Sequence, residues 1–118
     1  MSTYNSICHC GTVKFTFTLP TPIEEMDVVK CNCSICTKNG YLMVYPKPCD
    51  TSFTHPDDAV TEYRHASKQY PHFFCATCGS SLYAKGPEGT EMLAVNVRMI
   101  DGIDIEKLKF KPVDGRSI

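Results

Sequence analysis

Seven of the eight cysteines fall into three short clusters: Cys8-His9-Cys10-Gly11, then Cys31-Asn32-Cys33-Ser34-Ile35-Cys36, then Cys75-Ala76-Thr77-Cys78-Gly79. Thiolates this close in sequence can share one metal ion, and the residue type and spacing suit zinc. Seven ligands exceed what one tetrahedral zinc takes and fall one short of two closed sites. A four-plus-three division would give one saturated, structural site and one site with an open position where chemistry can occur. The Cys75/Cys78 pair has the spacing of a zinc knuckle and needs two further ligands, which Cys8 and Cys10 can supply as a pair. Cys31, Cys33 and Cys36 form a nearly complete half-shell of thiolates within six residues. Zinc with three thiolates carries one negative charge fewer than zinc with four, so it is the stronger Lewis acid and would deprotonate a thiol bound beside it.

Other uses of these cysteines are weaker. Eight cysteines in disulfides would allow 105 connectivities, but Cys-x-Cys pairs are badly placed to bridge one another and a reducing compartment disfavours them. A redox Cys-x-x-Cys pair belongs in an α/β setting, which this chain lacks. The three-cysteine cluster could instead be a second structural site closed by Cys49, His9, His55, His65 or His72, with Cys49 the foremost candidate for that role.

The elements that must carry these clusters are short strands. Residues 13–19 (Val-Lys-Phe-Thr-Phe-Thr-Leu) alternate apolar and polar side chains, the period of a half-buried strand. Strands are also expected over 26–30, 41–45, 60–64, 70–74, 81–85 and 92–98, with Gly86-Pro87-Glu88-Gly89 turning the last two into a hairpin. One helical turn is expected over residues 34–39, stopped by Gly40, and another over 104–107. Short strands at this spacing predict an all-β fold. Each cysteine cluster falls where a strand meets a turn, with Cys8 and Cys10 expected before the first strand. Metals at such points supply cohesion that a small β-core lacks.

The chain has 118 residues, 42% of them hydrophobic, which suffices for one domain with one modest core. No apolar run approaches the roughly 18 residues of a membrane span. The start, Met1 to Ser6, lacks the basic and apolar stretches of a secretory signal, so a cytoplasmic location is expected, with the nucleus also open. Formal charge is −1. Two Zn²⁺ displacing seven thiol protons would bring it to about −4, which argues against nucleic acid as a partner. Lys107, Lys109 and Lys111, alternating with Leu108 and Phe110, read as the solvated face of a strand rather than a phosphate-binding patch.

The three motifs in this order, ending in Phe-Cys-x-x-Cys-Gly-x-x-Leu (Phe74 to Leu82), resemble the glutathione-dependent formaldehyde-activating enzyme family, whose domain is shared with a centromere-associated protein. The resemblance runs from about Asn5 to Asp104. It implies an Mss4-like all-β fold and two zinc ions per chain. Carried over by position, it assigns Cys8, Cys10, Cys75 and Cys78 to the structural zinc and Cys31, Cys33 and Cys36 to the catalytic zinc. Cys49 matches no motif position and is expected to be a buried thiol. The implied activity is that of a carbon–sulfur lyase forming S-hydroxymethylglutathione from formaldehyde and glutathione, or acting on a related thiol–aldehyde adduct. Arg98, Lys38 and Lys30 are candidates to meet glutathione carboxylates, and His72 or a hydroxide on the zinc is a candidate base. The contrasting expectation is a non-catalytic interaction module with two closed zinc sites. Metal buffering ranks below both, because dedicated carriers rarely build a globular core around their ligands.

Overall fold

In the computed structural model, which describes residues 1–65, 70–87 and 89–115 (His65 by its backbone alone), the chain is built from two β-sheets and one short helix. The strands are β1 (Ser2–Ile7), β2 (Lys14–Leu19), β3 (Asp27–Cys31), β4 (Met43–Val44), β5 (Thr51–Phe53), β6 (Val60–His65), β7 (Tyr70–Cys75), β8 (Ser81–Lys85), β9 (Leu93–Asn96) and β10 (Lys109–Val113), with α1 (Ser34–Asn39) between β3 and β4. The smaller sheet has the order β1-β2-β5; the larger runs β10-β3-β4-β9-β8-β7-β6. Pairing is antiparallel throughout except between β10 and β3, which run parallel. The all-β expectation holds.

Alternation decides which side chains meet. In β2, Phe15, Phe17 and Leu19 point into the core while Lys14, Thr16 and Thr18 face outward. They pack with Val13, Val28, Val44, Leu82, Tyr83, Leu93 and Val95. β9 is buried along its whole length, because its two faces meet different partners. Leu93 and Val95 join the main core, whereas Ala94, with Ala84 of β8, belongs to a second cluster containing Ile35, Tyr41 and Met43. Two alanines leave room for α1 and Tyr41 to lie close against the sheet, and Cys33 and Cys36 pack against that cluster.

The hairpin expected around Gly86-Pro87-Glu88-Gly89 is present as the β8–β9 pair, with Glu88 outside the described residues. α1 occupies the expected residues and ends on Gly40 in the left-handed conformation (φ 65°), which glycine adopts without steric cost. Other expectations need correcting. Cys8 and Cys10 do not precede the first strand; they form the turn between β1 and β2. β1 escapes notice because Ser2-Thr3-Tyr4-Asn5-Ser6-Ile7 has no apolar alternation, and β5 is only three residues long. The strand expected over 41–45 is reduced to Met43–Val44, and that over 92–98 stops at Asn96, where a 3₁₀ turn (Val97–Met99) begins. Lys109 and Lys111 do lie on the exposed strand β10, but Lys107 sits in the preceding 3₁₀ turn (Ile105–Lys107). Cys49 is exposed rather than buried, since Pro48–Asp50 turns outward ahead of β5.

One titration follows from the core. Tyr83 stacks on Phe73 (4.9 Å between centroids) and lies edge-on to Phe15 (5.4 Å), with its hydroxyl 3.3 Å from His55 Nε2. Burial, with a contribution from the Asp57 carboxylate, pushes its phenol up to about 12. A tyrosine in the unfolded chain ionises near 10, so the folded state holds this proton more tightly. That contribution is complete below pH ~10 and is lost as pH rises through ~12. Denaturant unfolding between pH 9 and 12 should therefore show stability falling in that window, and Tyr83→Phe should flatten the fall. An unchanged slope in the variant would rule out Tyr83 as its source.

Candidate metal centres and the adjoining cleft

The first cysteine group joins the two sheets. Cys8 and Cys10 come from the β1–β2 turn and Cys75 and Cys78 from the β7–β8 turn, and their sulfurs lie within 4.8 Å of one another. Cys8 Sγ is 3.5 Å from Cys10 Sγ, which is 3.7 Å from Cys75 Sγ. A tetrahedral ion with sulfurs at about 2.3 Å requires sulfur–sulfur separations of about 3.8 Å, so the donors are already near the spacing of a closed thiolate site. Backbone N–H groups point at these sulfurs: Val13 N–H donates to Cys8 Sγ (3.3 Å), and the N–H groups of Thr77 and Cys78 to Cys75 Sγ (3.4 and 3.5 Å).

Charge follows the same pattern. The Ser80 hydroxyl, 3.2 Å from Cys78 Sγ, leads the interactions that hold that thiol down at about 5, and Thr12 does the same in direction for Cys10. Burial pushes Cys75 the other way. Two sulfurs disposed to ionise beside one that resists it is the arrangement a divalent cation resolves.

The second group, Cys31, Cys33 and Cys36, is local. Cys31 ends β3, Cys33 is the N-cap of α1, and Cys36 lies one turn further on the same side of the helix. Their sulfurs also lie within 4.8 Å of one another, and among the described residues no histidine, aspartate, glutamate or further cysteine joins the group. Burial opposes ionisation of Cys33, but hydrogen bonds from the Cys36 backbone and from the Cys36 and Cys31 thiols outweigh it and lower its pKa. Cys36 moves strongly upward, through burial first and then through Cys33 and Cys31. The neighbouring thiols are thus pushed in opposite directions, and a bound cation would favour deprotonation of all three.

Among the described residues, the candidate closing ligands stand elsewhere. Cys49 is exposed beside β5. His9 is exposed in the β1–β2 turn, its backbone N–H donating to Ser80 Oγ (3.1 Å), and the ring of His55 meets Tyr83. His72 is buried in β7 with its ring 5.4 Å from that of Tyr41. The side chain of His65 lies outside the described residues.

The three-cysteine group borders a cleft of about 570 Å³ lined by Cys31 and Cys36, by Lys30 and Arg98, and by Tyr41 and Asp114, among others. Of the three expected cations, Lys30 and Arg98 reach it, whereas Lys38 is exposed on α1 and absent from its lining. Arg98 is fixed by its Nε–H, which donates to Gly40 O (2.7 Å). Behind it, Asn96 is 1% exposed and hydrogen-bonded through both polar atoms of its side chain. Its Oδ1 accepts from the N–H groups of Leu42 (3.4 Å) and Arg98 (3.2 Å), and its Nδ2 donates to Ser81 O (3.0 Å). A smaller cleft of about 300 Å³ lies beyond Tyr41, which lines both, and His72 belongs to that second space. Burial, ahead of the Cys36 thiol, raises the phenol of Tyr41, and partial burial with the three nearby thiols moves that of half-exposed Tyr45 the same way. The sequence reading missed Tyr41, Tyr45, Asn96 and Asp114, none of which stands in a motif.

A two-sheet β-fold carrying a four-thiol group between its sheets and a three-thiol group on a cleft defines a class of cysteine-rich, metal-competent β-domains. Within that class, the chain belongs to the family described as glutathione-dependent formaldehyde-activating enzyme, whose family model matches residues 3–114. A Halomonas elongata protein provisionally named for that activity is 28% identical over 102 residues, covering 80% of this chain and 63% of its own length. The chain thus spans somewhat under two thirds of that curated relative. A crystal structure of a Rhodobacter sphaeroides protein has the same fold, with a TM-score of 0.77 at 24% identity, covering 91% of this chain and 99% of the other. Among the described residues no helix is long and apolar enough to cross a membrane.

Proposed function

We propose that the protein is a zinc-dependent carbon–sulfur lyase acting on a glutathione adduct, in the direction that joins formaldehyde or a related small aldehyde to the glutathione thiol. The carrying observation is the three-cysteine group, unjoined by a fourth protein ligand among the described residues, on the edge of a cleft with two cationic side chains. In this reading Cys8, Cys10, Cys75 and Cys78 hold a structural zinc and Cys31, Cys33 and Cys36 a catalytic one, two per chain. When bound there, zinc supplies Lewis acidity that favours the thiolate of a substrate thiol and polarises a carbonyl.

The chain's own residues do the rest. Lys30 and Arg98 offer charge-assisted hydrogen bonds to the carboxylates of the tripeptide, and the Asp114 carboxylate suits its ammonium group. Gly40 O holds the Arg98 guanidinium to one orientation, which lowers the ordering cost of binding. Tyr41 and Tyr45, both protonated, are hydrogen-bond donors near the thiols. In the reaction the sulfur forms a bond to the carbonyl carbon, the C=O π pair moves to oxygen, and the thiol proton ends on that oxygen. Holding the two small reactants together removes much of the entropic cost of their meeting.

The test is zinc content by elemental mass spectrometry before and after incubation with glutathione, followed by formation of S-hydroxymethylglutathione measured against the spontaneous rate. Two zincs, one perturbed by glutathione, with a rate above background, support the lyase. Two zincs indifferent to excess glutathione would replace it with the interaction module. For the cleft, Lys30→Ala should raise KM for glutathione by roughly three- to tenfold with little change in kcat, the mark of lost ground-state binding. Lys38→Ala, outside the cleft, should leave both constants unchanged.

A further inference from the structure

The three thiols meet a stretch of backbone from far along the sequence. β10 pairs in parallel with β3 in a register that sets Pro112 beside Lys30 and Val113 beside Cys31. Pro112 has no N–H to give, which an edge strand such as β10 tolerates. Beyond the strand the attachment continues: Asn32 N–H donates to Val113 O (3.0 Å), and Asn32 Nδ2 donates to Asp114 Oδ1 (2.9 Å). Gly115 then lies against the cysteines themselves. A Cβ built on it would collide with Cys31 Sγ and stand 3.2 Å from Cys33 Cβ. The first separation is far below van der Waals contact, and both neighbours belong to the metal-competent trio.

From this we infer that residues 113–115 are a wall of the three-thiol site, with Gly115 a positioning residue that shields the Cys31/Cys33 side and leaves the cleft bordered by Lys30, Tyr41 and Arg98 as the approach for a further ligand. The inference rests on the reading of Cys31, Cys33 and Cys36 as a metal site and adds what controls access to it. Glycine suits the position for a spatial reason: any side chain occupies the volume of the Cys31 sulfur or drives the segment off β3. Either result alters how firmly the trio holds its ion, whereas the four-thiol group, made from the β1–β2 and β7–β8 turns, is untouched.

The experiment measures zinc release from the full chain to a chromogenic chelator, without glutathione, in the unsubstituted protein and in Gly115→Ala, Gly115→Val and Lys109→Ala. Cys36→Ser identifies which of two release phases belongs to the trio. Gly115→Val should speed the trio's release by about tenfold or more, the range for residues that support metal ligands, with Gly115→Ala intermediate and the four-thiol phase unchanged. Lys109→Ala, on the same strand but away from the thiols, should leave both phases alone. With Co²⁺ as the probe, the trio's thiolate-to-metal absorption should shift in Gly115→Val. Unchanged release in Gly115→Val, or equal acceleration of both phases, would overturn the inference. An unsubstituted chain that holds one metal only would overturn the reading beneath it, and that result is seen before any variant is made.

Discussion

Cys75→Ser is expected to abolish the folded state at ordinary temperatures, the largest effect of any single change in the chain. Cys75 is 1% exposed and sits in the main core, and its sulfur approaches that of Cys10 across 65 residues of sequence. A metal held there closes a long loop and fixes one sheet to the other, and loop closure of that span constrains the unfolded chain heavily. Structural zinc sites carry binding free energies on the order of 10–16 kcal/mol, while the net stability of a domain is only about 5–15 kcal/mol. The loss is therefore not one that the packing of Phe15, Phe17 and their neighbours can absorb. Far-ultraviolet circular dichroism with thermal melts checks this, and a strong chelator should reproduce it in the unsubstituted protein. A cooperative melt within a few degrees of the parent would show that packing alone holds the sheets together.

Cys36→Ser is expected to do the opposite: to leave the fold standing and remove the activity. Cys31, Cys33 and Cys36 span six residues of β3 and α1 on the outer side of the large sheet, so their metal closes almost no loop and joins no distant elements. Serine keeps the size of the side chain but offers a hydroxyl that does not ionise near neutral pH in place of a thiolate. One of the two metals should be lost, the melting temperature should move by only a few degrees, and the rate of glutathione–aldehyde adduct formation should fall to the spontaneous level. Metal content, melt and rate measured on one preparation distinguish the cases. A variant that keeps its rate with one metal would remove the trio from the chemistry.

Much of the site was legible in the sequence because its ligands come as local clusters. Two residues between Cys75 and Cys78, or two between Cys33 and Cys36, can be read without knowing the fold. The alternation of 13–19 gave β2 for the same reason, since its Phe and Thr side chains report their faces locally. What could not be read depends on chain segments far apart. β1 has a strand's register only because β2 supplies the partner, and Ser2-Thr3-Tyr4-Asn5-Ser6 carries little pattern of its own. Asn96 looks like an unremarked polar residue at the end of an apolar run, yet its side chain ties the backbone of Leu42, Ser81 and Arg98 together. Gly115 stands 79 positions beyond Cys36 and in no motif, so its approach to Cys31 follows only from the parallel pairing of β10 with β3. The histidines carry no local signal either way. Each is a possible ligand by type, but none of those described joins the trio, and the rings of His55 and His72 meet aromatic neighbours instead.

The different spans of the two cysteine groups also order events in time. On an emerging polypeptide the trio is complete once Cys36 has left the ribosome, whereas the four-thiol group waits for Cys78 and the wall over the trio waits for Gly115. The local cluster thus meets the cellular metal supply first, uncovered and already clustered, and residues 113–115 emerge well after it. Under metal scarcity a nascent chain would fill the local trio before the group that joins the two sheets, so starvation would show itself as misfolded protein rather than as folded protein short of one metal.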